Sequence, residues 1–143
     1  MRVGKNTKLW KPELSNIGEC TIGDNCTIHS NVWIGDKVSI GNRVRIQAFA
    51  FIPTGVRIGD DVFIGPHVCF TNDKHPPSPE WQVTIVSDHV SIGAGVVILP
   101  GITLGSGCKV GAGAVVTKNV LPNCTVVGNP AKVLWNKNKP RSE

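Results

Sequence analysis

Large aliphatic residues recur every six positions, at Ile22, Ile28, Ile34, Ile40, Ile46, Ile52, Ile58 and Ile64, with Phe70 in the next place. Two positions before each stands a smaller apolar residue: Cys20, Cys26, Val32, Val38, Val44, Ala50, Val56, Val62 and Val68. Polar residues and glycines fill the remainder, and Gly23, Gly35, Gly41, Gly59 and Gly65 directly follow the aliphatic. An α-helix cannot use this period, because about 3.6 residues per turn would scatter the aliphatic positions over several stripes. Short strands can use it. Residues i−2 and i point to one side of an extended segment, and the glycine and Asx residues that follow supply the backbone angles of a corner. Three such sides close a triangular coil, and coils stacked at about 4.8 Å bury the aliphatic residues in one column.

The pattern resumes at Val86, Ile92, Ile98, Leu104, Val110 and Val116, but Val86 follows Phe70 by sixteen residues instead of six. Ten residues are therefore inserted, and the loop they form is expected at about 71–85. The repeats predict an all-β fold, a parallel β-helix of about five triangular coils. Residues 1–143 form one domain in this reading. The irregular residues 1–16 are expected to cap the N-terminal end, where unpaired strand edges need cover, and 134–143 to form a short C-terminal tail.

Composition agrees. A chain of 143 residues holds one sizeable core, and 16 glycines, abundant Val and Ile and no tyrosine favour short strands and tight turns. The net charge of +5 is spread along the chain, which gives no nucleic-acid footprint and suits a small polyanionic ligand. No apolar stretch reads as a signal peptide or a membrane span, so a cytoplasmic location is expected. Cys20, Cys26, Cys69, Cys108 and Cys124 lack CxxC spacing and read as small buried hydrophobes rather than zinc ligands or disulfides. The sequon-like Asn25 and Asn123 triplets read as accidental matches without an export signal.

Ordering a projecting loop costs entropy and adds little core, so the stretch "FTNDKHPPSPEW", Phe70 to Trp81, points to function. The alternative is a loop stiffened by Pro76, Pro77 and Pro79 and packed down by Trp81.

The repeat of aliphatic, glycine, two variable residues and a small residue resembles that of the hexapeptide-repeat acyltransferases. The resemblance covers roughly Ile17 to Val133, including "VGAGAVVTKNVLPNCTVVGNPAKV" from Val110. It implies a left-handed β-helix, a homotrimer with sites between subunits, and acetyl-CoA as acyl donor without a metal. "FTND" is similar to the motif of enzymes that acetylate amino groups on nucleotide-linked deoxyamino sugars, which implies that Asn72 approaches the sugar amine. The "HP" of His75 and Pro76 falls where galactoside and maltose O-acetyltransferases carry their general base. Asp73 and Trp81 are the expected substrate contacts. Gly93, Ala94, Gly111 and Ala112 match positions that border the pantetheine arm, while Thr117, Lys118 and Lys132 match those that meet the coenzyme's phosphates. Small residues there also suit a tight corner, and a surface lysine is often only solvated. The family's amino-sugar enzymes often carry an aromatic residue and Arg after TND, where this chain has "KHPP".

The leading expectation is an N-acetyltransferase for a nucleoside-diphosphate-linked 3-amino or 4-amino deoxyhexose, by direct attack of the amine on the thioester. The alternative is a sugar O-acetyltransferase using His75, since a hydroxyl needs a positioned base where an amine does not. A trimeric carbonic anhydrase would need three metal-binding histidines, and His29, His67, His75 and His89 do not resemble that spacing. A β-helix without catalysis stays open. The pairing of acceptor sugar and nucleotide is not legible in the residues.

Overall fold

The computed structural model describes residues 1–138, so 139–143 of the expected tail lie outside the described residues. Strands of two residues alternate with corners of about four, and they stack into three parallel sheets, the faces of a prism. The first face carries Arg2–Val3, Thr21–Ile22, Ser39–Ile40, Arg57–Ile58, Ile85–Val86 and Thr103–Leu104. The second carries Lys8–Leu9, Thr27–Ile28, Arg45–Ile46, Phe63–Ile64, Ser91–Ile92, Lys109–Val110, Cys124–Val127 and Lys132–Asn136. The third carries Asn16–Ile17, Trp33–Ile34, Phe51–Ile52, Cys69–Phe70, Val97–Ile98 and Val115–Val116. This arrangement fits the expected left-handed parallel β-helix.

Within each strand the second residue points inward, and those residues stack in register, as Ile22 on Ile40 and Ile64 on Ile92. Together with the residues two places earlier they form one continuous buried column from Cys20 to Val126. The insertion leaves the register intact: Arg57 and Ile58 pair with Ile85 and Val86 across it. The looped-out segment ends before Thr84, which is buried in the core and accepts the Arg57 amide, and Ile85 already belongs to a strand.

The coil has about seven turns rather than about five. The additional turns lie at its ends, where the spacing departs from six. Arg2–Val3, Lys8–Leu9 and Asn16–Ile17 pair in parallel with the next coil through their backbones, although Leu9, Ile17 and Ile22 are eight and five residues apart. At the other end, Val120 bridges to Leu104 and Cys124–Val127 pairs with Lys109–Val110, only sixteen residues on. Lys132–Asn136 then turns back antiparallel along that last strand.

The glycines after each aliphatic do something other than expected. They do not carry the unusual dihedrals; the left-handed residue is two places later, at Asn25, Asn31, Lys37, Arg43, Phe49, Asp61, His67 and His89. What Gly65 and Gly93 provide is close approach: a Cβ there would stand 2.7 Å from the Ala94 amide nitrogen and 2.6 Å from that of Ala112. Side-chain oxygens also tie the corner after the first face, where the amide of each residue donates to the next coil. Asp24 donates to Asn42, Asn42 to Asp60 and Asp60 to Asp88, all at 2.8 Å.

Candidate active site

The insertion leaves the prism at the corner between the third and first faces. Corner residues 99–101 and 117–119 of the next two coils lie along the same edge. Two bonds fix the neck: the Thr71 hydroxyl donates to the Ile98 carbonyl at 2.8 Å, and the Gln82 amide to the Asn72 carbonyl at 2.7 Å. Inside the loop, the Asp73 carboxylate accepts from the Ser78 amide at 2.7 Å, the Ser78 hydroxyl at 2.6 Å and the His75 amide at 3.2 Å. The Ser78 hydroxyl leads in holding the Asp73 carboxyl below the ordinary carboxylate range.

Beneath the loop lies a cleft of about 570 Å³. Thr71, Asp73, Lys74 and Gln82 line it from the loop, and Thr117, Lys118 and Asn119 from the coil. The Gln82 side chain lies over Gly101, where an added Cβ would stand 2.5 Å from Gln82 Oε1. A second, outer recess of about 490 Å³, which shares Lys74 and Gln82 with the cleft, brings His75 together with Glu80 and Trp81. A third cavity of about 480 Å³ lies at the end of the prism, between core residues such as Val116 and Val126 and the returning strand, and joins Lys118 with Lys132.

The residues singled out in the sequence are thus divided. Asp73, Thr117 and Lys118 share the cleft, and Lys132 lies one cavity further along. His75 and Trp81 share the outer recess, Trp81 being 58% exposed. Asn72 lies between two cleft residues, and its carbonyl closes the neck. Gly93, Ala94, Gly111 and Ala112 occupy the other edge of the third face, the corner that follows the second face. Within one chain they are separated from the loop by the width of Val97–Ile98 and Val115–Val116. Lys74, Gln82 and Asn119 are cleft residues that carry no motif.

Three of the cysteines are poor nucleophiles. Burial pushes the Cys108 thiol up to about 12, with Cys124 adding to the effect, and burial also raises Cys20 and Cys69. No cluster of metal-ligating side chains occurs among the described residues, and no helix among them is long and apolar enough to cross a membrane.

Two repeat signatures match the chain: bacterial transferase hexapeptide (six repeats) over 37–72 and 84–118, and hexapeptide repeat of succinyl-transferase over 20–52. Galactoside O-acetyltransferase of Escherichia coli (strain K12) is 39% identical over 88 residues, which is 55% of this chain and 43% of the relative. The enzyme of the same name from Lactococcus lactis (strain IL1403) is 33% identical over 88 residues, 56% of this chain and 42% of the relative. The chain thus spans less than half the length of these curated relatives. Among solved structures, a variant of AntD, an N-acyltransferase from Bacillus cereus in complex with dTDP and coenzyme A, superposes with a TM-score of 0.83 at 26% identity. That match covers 96% of this chain and 85% of AntD. With the repeat, its prism and these signatures in agreement, the chain belongs to the hexapeptide-repeat acyltransferase family.

Proposed function

We propose that the protein is an acetyl-CoA-dependent N-acetyltransferase acting on an amino sugar, with a nucleoside-diphosphate-linked 3-amino or 4-amino deoxyhexose as the acceptor. The observation that carries this is the superposition on AntD, and the loop's only imidazole agrees with it. The His75 ring is exposed and receives no hydrogen bond among the described residues, while the neighbouring Asp73 carboxylate is engaged with Ser78. A general base for a hydroxyl needs a fixed orientation, usually from a third group. An unprotonated amine brings its own lone pair, so the chain has only to bind and orient it. AntD, named as an N-acyltransferase bound to dTDP and coenzyme A, supports the same chemistry.

The donor supplies a thioester, and the chain supplies surfaces that fit its parts. Ala94 and Ala112 are small and exposed, so an extended amide-bearing arm can approach that corner closely, while the bare side of Gly93 and Gly111 is turned to the next coil, at Ala112 and Val127. Thr117, Lys118 and Lys132 supply a hydroxyl and two ammonium groups for phosphates at the other edge. A homotrimer brings the two edges to one ligand. Outward on the third face stand Trp33, Phe51, Cys69, Val97 and Val115, an apolar stripe in which the rings of Trp33 and Phe51 lie 6.1 Å apart. A second copy seated there would touch both bordering corners, the one with Ala94 and Ala112 and the one with the loop. Asn72 and Trp81 then serve the acceptor.

The test is thiol release from acetyl-CoA in the presence of dTDP-linked 3-amino and 4-amino deoxyhexoses. Release with an amino sugar is expected, with His75→Ala changing the rate little. The O-acetyltransferase reading is favoured by the shared recess of His75 and Trp81 and by the galactoside O-acetyltransferase relatives. Under it, a galactoside would support release and His75→Ala would lower the rate by about a hundredfold or more.

A further inference from the structure

Asn31, Phe49, His67, Gly95 and Gly113 hold the same left-handed seat at the corner that follows the second face, with φ from +60° to +73°. Backbone bonds stack these seats coil on coil. The Phe49 amide donates to the Asn31 carbonyl at 3.1 Å, His67 to Ala48 at 3.2 Å, Gly95 to Pro66 at 2.9 Å and Gly113 to Ala94 at 2.8 Å. A bulky side chain is strained in this conformation, whereas Asn accepts it, as at Asn25, Asn31 and Asn123. Phe49 nevertheless takes the seat, and its ring is 54% exposed, so it adds little to the core. Strain kept without a packing return points to a role on the surface.

The Phe49 ring lies against the His67 imidazole, with centroids 5.0 Å apart and planes within 5°. That separation is about one coil spacing, so the rings stack along the prism axis and the second face of the imidazole is turned toward the coil of Gly95. No side chain fills the space there: a Cβ on Gly95 would meet nothing within 4 Å, and neither would one on Gly113.

We propose that the open face of His67 above Gly95 is a stacking slot for the planar base of a nucleotide, with Phe49 backing the imidazole. A base laid there continues the ladder of rings, and stacking of this kind tolerates any base because each has a π-face. The proposal rests on the acyl-transfer reading, which makes the base that of the acceptor's nucleoside diphosphate. The slot adjoins the exposed Ala94, so base and donor arm would share one edge of the prism.

Calorimetric titration of the full chain with dTDP, and in parallel with inorganic pyrophosphate, reads the slot without turnover. His67→Ala removes the platform and is expected to weaken dTDP about tenfold while leaving pyrophosphate unchanged. His67→Phe keeps a ring without its nitrogens and is expected to retain dTDP binding within about twofold. Gly95→Asn puts a side chain into the slot in a conformation that Asn tolerates, and is expected to weaken dTDP about tenfold. An unchanged melting temperature shows that the variants fold. The proposal is overturned if dTDP does not bind the wild-type chain, or if His67→Ala and Gly95→Asn bind it as tightly as the wild type. It is also overturned if His67→Phe loses dTDP as His67→Ala does, which makes the imidazole a hydrogen-bond partner, or if His67→Ala loses pyrophosphate, which sets phosphates at the ring. Variant-sensitive dTDP binding without thiol release from acetyl-CoA would count against the acetyltransferase reading alone. Thiol release with an amino sugar and variant-insensitive dTDP binding would count against the slot alone.

Discussion

Asp73 and Ser78 hold each other across the loop, the carboxylate accepting both the Ser78 amide at 2.7 Å and its hydroxyl at 2.6 Å. The bond pair closes the turn that contains His75, Pro76 and Pro77, so it shapes the outer recess. Asp73→Ala should leave the melting temperature almost unchanged, because the exposed loop adds little to the core. Trypsin should cut after Lys74 several times faster, and both kcat and KM should worsen. An unchanged cleavage rate would show that the prolines alone hold the loop.

The same pair sets a pH dependence. Hydrogen bonds lower the carboxyl's folded pKa, so their contribution is fully present above the ordinary Asp value of about 3.9 and fades as pH falls through the depressed one. The Ser78 amide resonance should therefore stay constant between about pH 5 and 8 and shift only in acid below about 4. A shift near neutrality would place control with a group other than the Asp73 carboxyl.

Thr84 occupies a core seat that other coils fill with Val, Ala, Ile or Cys, two residues before the inward Val86. It is wholly buried, and its Oγ1 has no hydrogen-bond partner. A lone buried hydroxyl costs its desolvation, so Thr84→Val, nearly the same shape, should stabilise the fold by about 1 kcal/mol. Urea unfolding measures it; a loss of stability would mean that the hydroxyl finds a partner such as a buried water.

Two kinds of glycine should respond differently to alanine. At Gly93 the backbone dihedrals are ordinary but a Cβ would meet the Ala112 nitrogen at 2.6 Å, so Gly93→Ala must push two coils apart. At Gly95 a Cβ would meet nothing within 4 Å, and only the φ of +68° penalises it. Gly95→Ala should cost about 1 kcal/mol and Gly93→Ala about 2 or more. Equal losses would contradict the close-approach role of the glycine that follows each aliphatic.

These contrasts show where sequence reading reaches and stops. The six-residue period places the inward aliphatic residues from Ile22 to Val116 correctly, because burial of one column dictates it, but it leaves the buried Thr84 inside the expected loop. It misses the terminal coils, where backbone pairing persists without the aliphatic spacing. It also treats the glycines as suppliers of corner angles, since a period records where a small residue recurs and not which neighbour it must avoid. The division of the site was legible in principle. Three repeats make one coil, so residues eighteen apart share a corner: Pro100 and Lys118 lie together, and Ala94 with Ala112 lies elsewhere. Asn119 and Gln82 could not be assigned from sequence, because their roles depend on how the insertion folds back.

The third face supplies the last prediction. Trp33 and Phe51 are 47% and 39% exposed on a flat sheet whose outward neighbours Cys69, Val97 and Val115 are also apolar. A contiguous apolar stripe of this kind marks an association surface. Phe51→Asp leaves the inward Ile52 untouched, so the prism should still form, yet it sets a charge in the centre of the proposed contact, where desolvation is costly. Light scattering should show trimers for the wild type and single chains for the variant. Thiol release should fall with the mass, because the corner of Ala94 and Ala112 would lose the loop of its neighbour. A variant that stays trimeric and active would move the interface to another face, and an active wild-type monomer would require one chain to join both edges alone.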